Sequence, residues 1–185
     1  MRATLVLIAS AGAALGTVPA DAQDINAVTR RTAVVSNFDL PAIVSILSEL
    51  KIAHRVADGS NGRYVNVSFA NGIRATIGRS ACRNNLQFCK GMTIYARFGR
   101  GRPEWTELEK LQRVNVFNYR HSFIKTGLDA NGQFYLSRYE LNDFGVSRGS
   151  IATSLLVYAN FGEKFAAYLK APLSSGALPL PVPRP

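Results

Sequence analysis

An α+β domain, an antiparallel sheet packed with helices, is what this sequence predicts, and three patterns predict it. Between residues 64 and 98, short segments alternate apolar and polar side chains and are separated by turn signals. Apolar stripes at helical spacing stand before and after those segments. The order of elements lacks the strand–helix–strand alternation of a parallel nucleotide-binding sheet.

The chain opens on an address. Arg2 is followed by an apolar run from Leu5 to Leu15, and Ala20-Asp21-Ala22 has the small-x-small pattern of a signal-peptidase site. Residues 1–22 therefore read as a signal peptide, and cleavage would leave Gln23 first. The run falls short of the roughly 20 apolar residues that span a bilayer, and no later segment is suited to spanning. No cysteine stands directly after the cut, which argues against a lipoprotein. The destination expected is the bacterial periplasm or the medium.

The mature chain has the length of one domain. Residues 23–38 read as a flexible N-terminal segment, 39–170 as the folded domain, and 171–185 as a proline-rich disordered tail that can be neither helix nor central strand. The net charge is +10, which favours polyanions, anionic membrane surfaces or acidic partners, and equally serves solubility.

Asp39 can cap a first helix in which Leu40, Ile43, Ile46, Leu47 and Leu50 recur at helical spacing, with Pro41 in its first turn. A short strand over His54 to Ala57 precedes the turn signals Asp58-Gly59 and Asn61-Gly62. Val65, Val67 and Phe69 alternate with Tyr64, Asn66 and Ser68. After the hairpin signal Asn71-Gly72, Ile73, Ala75 and Ile77 alternate with Arg74 and Thr76. Ile94, Ala96 and Phe98 then alternate with Thr93, Tyr95 and Arg97. Gly99 to Arg102 reads as a basic turn, since it lacks the glycine spacing and the Lys-Ser/Thr of a phosphate loop. Trp105, Leu108, Leu111 and Val114 stripe a second helix starting near Pro103. A second hairpin flanks Asp129 to Gly132, and a final helix from about Ser147 carries Ile151, Leu155, Tyr158, Phe165 and Leu169, with Gly162 as a local weakness.

Cys82 and Cys89 are the two cysteines. In an oxidising compartment an even count reads as a disulfide. The gap is too long for a C-x-x-C redox centre, and His54 and His121 are not at metal-ligand spacing from the pair. No metal site and no cofactor are expected.

The stretch Val114 to Phe123, VNVFNYRHSF, is the nearest thing to a site. Asn115 and Asn118 read as caps where a helix ends and a strand begins. The competing reading groups Asn118, Arg120 and His121 for recognition. No nucleophile, acid pair or metal set completes a catalytic arrangement, and no catalytic residue is assigned. Glu104, Glu107 and Glu109 fit the positive end of a helix instead.

The run from Leu111 to Ser147 resembles the central signature of the YbjN-type family, bacterial proteins described as candidate sensory-transduction regulators. A helix leads to Asn115 and Asn118, a hairpin turns at Asp129 to Gly132, and Gly145-Val146-Ser147 precedes the final helix. Phe117 stands where the family often has tryptophan. The resemblance extends from about Asp39 to Leu169. It implies a fold like that of type III secretion chaperones and no established enzymatic activity, and the family name records a suspected regulatory role.

Two functions are compatible with these features. One is a protein-binding adaptor or chaperone-like module using the sheet's outer face, where Tyr64, Asn66, Arg74, Thr76, Tyr95 and Arg97 project together; a protein partner or a second copy of the chain would fit there. The other is a binder of a polyanion or small anionic ligand through Arg97, Arg100, Arg102 and Arg113. Export argues against a nucleic-acid target.

Overall fold

The computed structural model describes residues 24–60, 62–83 and 87–172. Residues 1–23, which include the expected signal peptide, and residues 173–185 of the proline-rich tail lie outside the described residues.

Alternation produces the sheet. In strands β2 (Ala53–Ala57), β3 (Tyr64–Ser68), β4 (Arg74–Ser80) and β5 (Gly91–Arg97), each neighbouring pair is antiparallel. One face is apolar: Val65, Val67, Ala75, Ile77, Met92, Ile94 and Ala96 are all buried. The second hairpin, β6 (Lys125–Leu128) and β7 (Phe134–Leu141), does not stand apart. β7 pairs with β5 along its whole length, and the sheet has six strands in the order β2-β3-β4-β5-β7-β6. Phe134 and Leu136 thereby extend the apolar face. This joining was not readable from local pattern, because it pairs strands separated by a helix.

Helices cover that apolar face. In α1 (Leu40–Glu49), Ile43, Ile46 and Leu47 are buried. Asp39 occupies its N-cap, but its side chain makes no capping hydrogen bond; its backbone carbonyl accepts from the N–H groups of Ala42 and Ile43. In α3 (Arg148–Lys170), the expected stripe is buried, and the Tyr158 hydroxyl donates to the Leu136 carbonyl at 2.9 Å. Gly162 is less a weakness than a crossing point. A Cβ there would lie 3.0 Å from the Ile73 side chain, which would have to give by a few tenths of an ångström, so glycine eases the close approach of helix and sheet.

α2 (Glu107–Arg120) differs from expectation in phase. It starts at a capping box: Thr106 Oγ1 accepts from the Glu109 N–H, and the Glu109 carboxylate accepts from the Thr106 N–H. Leu108 and Leu111 are 65% and 48% exposed, and the buried side is Arg113, Val114 and Phe117. The helix starts four residues later than expected; Val114 is on its buried side, Trp105 is buried but precedes it, and Leu108 and Leu111 face solvent, because a buried arginine reads as a surface residue.

The N-terminal segment also departs from expectation. Among residues 24–38, Val28 and Phe38 are buried in the core, and β1 (Val34–Val35) pairs with β8 (Val146–Ser147) in a separate two-stranded sheet. Fully burying such side chains contributes about 1.5–3 kcal/mol each. Arg148 adds polar anchorage, donating to the Thr29 carbonyl at 3.2 Å and bonding Glu49 at 2.8 Å, while Glu49 accepts from Thr29 as well. Residues 24–38 are thus packed against the domain through these contacts.

Candidate functional site

Since the helices shelter one side of the sheet, residues of opposite parity form the other side, over which no described helix lies. The register carries a row across it: Arg55 pairs with Asn66, Asn66 with Thr76, Thr76 with Tyr95, Tyr95 with Ser137, and Ser137 with Lys125. Tyr64, Ser68, Arg74, Thr93, Arg97, Tyr135 and Tyr139 share the parity of this row. Tyr64, Asn66, Arg74, Thr76, Tyr95 and Arg97 thus stand on one face, as strand alternation requires.

Asn66, Ser68, Arg74, Thr76, Tyr95 and Arg97 line a shallow depression of about 270 Å³. Its arginines differ. Arg97 Nε donates to the Asp129 carboxylate at 3.1 Å, and its guanidinium sits 5.3 Å from the centre of the Tyr95 ring. The Tyr95 side chain foremost, and then Asp129, favours the charged guanidinium further. Asp129 accepts from the N–H groups of Asn131 and Gln133 in the hairpin turn, and hydrogen bonding led by Gln133 holds its carboxyl below the usual range. Arg74 has no acidic side chain within ion-pair distance among the described residues.

The tyrosines are laid down rather than upright. Tyr95 and Tyr135 stack with centroids 5.4 Å apart. A Cβ on Gly127 would meet the Tyr135 ring at 2.5 Å, and one on Gly91 would meet the Tyr139 hydroxyl at 2.5 Å. Both rings therefore lie across glycine backbone on the neighbouring strand, which covers the weak point that glycine leaves in a strand. The contributions of Tyr135, Tyr139, Ser137 and Lys125 were missed from sequence. Alternation in FYLSRYEL groups the β7 residues on one side, but only the β5–β7 pairing puts them on this face. Asp129 was read as a turn residue alone, and its hold on Arg97 had no local signal.

Of the residues assigned to anion binding, Arg100 and Arg102 line a depression of about 390 Å³ beside Lys170, while Arg113 is turned inward. Arg113 is 1% exposed, its guanidinium 3.9 Å from the centre of the Trp105 ring, and it donates to the carbonyls of Tyr168 (3.2 Å) and Ala171 (3.0 Å). It closes the C-terminal end of α3, where backbone carbonyls lack helical partners. A buried guanidinium so employed is not an anion receptor. Arg102 also donates to the end of α3, at the Lys170 carbonyl, and lies over Trp105. Arg100, the third of the set, stays exposed in the turn.

The two asparagines separate too. Asn118 lies in the last turn of α2, where Oδ1 accepts from the Thr126 N–H at 2.7 Å and Nδ2 donates to the Thr126 carbonyl at 3.0 Å. It pairs with β6, the edge strand, as a neighbouring strand would. Asn115 is exposed in mid-helix and caps nothing. His121 ends α2 against Phe117 (4.4 Å) and Phe161 (5.1 Å), and burial, then Lys164 and Arg120, pushes its pKa down. The Cys82 and Cys89 sulfurs lie 2.11 Å apart, at bonding distance.

Two other features bear on function. A groove of about 710 Å³ lies between the start of α1, the end of β2 and the cysteine loop, with Leu40, Val44, Val56 and Phe88 in its wall. Among the described residues no three His, Cys, Asp or Glu side chains gather to hold a metal ion, and no helix is long and apolar enough to cross a membrane.

Fold and surface together define an α+β module in which helices cover one side of a six-stranded antiparallel sheet and, among the described residues, no helix covers the other. No family model matches the chain, and no curated protein matches its sequence. Solved structures do match. YbjN from E. coli, a candidate transcription regulator, superposes with a TM-score of 0.51 at 12% identity, over 74% of this chain and 92% of that one. A chain of the HopA1–SchA chaperone–effector complex aligns with a TM-score of 0.49 at 9% identity, over 69% and 91%. The Yersinia pestis type III secretion chaperone SycH, in complex with a fragment of YscM2, aligns with a TM-score of 0.43 at 16% identity, over 68% and 97%. The fold is YbjN-like, as the motifs between Leu111 and Ser147 imply.

Proposed function

We propose that this chain is an exported, non-enzymatic adaptor of the bacterial envelope that binds a protein partner on the bare face of its sheet. One observation carries the reading: a six-stranded face with Tyr64, Tyr95, Tyr135, Tyr139, Arg74 and Arg97 on it, and no described helix above it. Tyrosine and arginine are enriched among the residues that supply most of the energy at interfaces. Tyr95, Tyr135 and Arg97 are held by stacking and by Asp129, so less conformational entropy remains to be lost on association. The signal peptide supports export, and export in turn supports a Cys82–Cys89 disulfide.

The test is a Tyr95→Ala, Arg97→Ala double variant compared with wild type by sedimentation and by capture from envelope extract. Both side chains lie on the face away from the core, so the variant is expected to fold and to lose the partner. A folded variant with the same captured proteins and the same sedimentation would remove the face as the working surface.

A further inference from the structure

The six strands contain four cationic side chains on the bare face, Arg55, Arg74, Arg97 and Lys125, and all four are exposed. They place no carboxylate there. Glu140 is the one acidic residue within these strands, and it turns to the helix side, where it bonds Arg138 and the Ser154 hydroxyl of α3. The face is therefore uncompensated except at one point, where Asp129 from the hairpin turn holds Arg97.

The arrangement also breaks a local rule. Arg74 and Arg97 each stand one same-face position beyond Thr76–Tyr95, the last pair of β4 with β5, and both border the same depression. Like charges brought together on adjacent strands destabilise a sheet. Natural sequences keep such conflicts mainly at functional sites. Both guanidiniums line the 270 Å³ depression, whose floor offers Asn66, Ser68 and Thr76 as hydrogen-bonding groups.

We infer that this face receives an extended acidic segment of a protein, with Asp or Glu carboxylates seated between Arg74 and Arg97. The inference rests on the reading of the bare face as the working surface and supplies the chemistry of the segment bound there. Arg55 on β2 and Lys125 on β6 end one row across the sheet, five inter-strand gaps apart, or about 24 Å. An extended chain crosses that distance in about seven residues. Arginine forks match carboxylates in a bidentate manner, and the Tyr95 hydroxyl adds a donor beside them. The export on which the adaptor reading rests favours peptide carboxylates over nucleic acid, and arginine forks beside a tyrosine hydroxyl suit carboxylates.

Fluorescence anisotropy with the mature protein tests this directly, using a labelled ten-residue peptide alternating Glu and Ser, its Gln counterpart, an oligothymidylate of the same length and vesicles of anionic phospholipid. The Glu peptide is expected to bind and the Gln peptide to fail, with affinity falling about tenfold or more in Arg74→Ala and in Arg97→Gln, as for anchoring arginines at interfaces. Arg100→Ala with Arg120→Ala removes the same kind of charge elsewhere and is expected to leave binding within about twofold. Equal loss in that control, or tighter binding of oligothymidylate or vesicles than of the Glu peptide, would overturn the inference. If the Glu peptide does not bind although partner capture depends on Tyr95 and Arg97, the acidic chemistry falls and the adaptor reading stands. If neither occurs, both fall.

Discussion

Asn118 shows how much one side chain can settle. Its amide reproduces the donor and acceptor of a neighbouring strand for Thr126, which is 2% exposed. Replacing it with alanine leaves a buried N–H and a buried carbonyl without partners, each costing about 1–3 kcal/mol. Asn118→Ala is therefore expected to lower the urea midpoint by an amount equivalent to about 2 kcal/mol or more, with binding on the sheet face intact once folded. An unchanged midpoint would show that water satisfies Thr126 instead. Sequence alone pointed to Asn118 because asparagine is favoured where backbone groups lose regular partners. The same reasoning misplaced Asn115, since spacing by three on a helix does not say which residue reaches the next strand. Arg113 was illegible for a different reason. Its burial depends on Trp105 below it and on the end of α3, and those contacts are visible only after folding.

Among the elements, the alternating strands and α3 were readable because a single face of each is buried, so period and burial coincide. The N-terminal segment was not. It has no period, and its order derives from long-range bonds that converge on Arg148 at the start of α3. Arg148 ties Thr29 to Glu49, and both ion-pair partners are largely shielded from solvent, with side-chain exposures of 14% and 23%. Burial alone would raise the Glu49 carboxyl, but hydrogen bonds from Arg148 and Thr29 outweigh it and hold the pKa below the usual value. Its contribution is thus present above the ordinary carboxylate range and lost as pH falls through the lowered value. Arg148→Ala is expected to destabilise the protein by about 1.5–3 kcal/mol, the scale of a charge-assisted hydrogen bond. Amide exchange at residues 28–35 should accelerate more than exchange in β4 and β5. Uniform acceleration, or none, would show that β1 and the buried Val28 hold the segment without Arg148.

At the scale of the whole molecule, the charge and the sheet have to be considered together. A net charge of +10 says only that anions are attracted. The topology gives that charge a place, because β7 joins β5 and brings Lys125, Ser137 and two further tyrosines onto the face that β3, β4 and β5 begin. Of the cations near residues 100 to 113, Arg100 and Arg102 edge a depression beside the end of α3, and Arg113 is buried against that end. Composition could not distinguish these two sets of arginines, since one is defined by strand parity and the other by a helix terminus.

Site-specific photo-crosslinking in the exporting cell tests the central claim most directly. A benzophenone side chain at Ser137 or Thr93 stands on the bare face, and one at exposed Glu163 stands on α3 on the opposite layer. Adducts with a discrete protein from Ser137 and Thr93, absent from Glu163, are the predicted result. Adducts from Glu163 alone, or equal labelling from all three positions, would contradict the assignment of the sheet face as the surface through which this protein works.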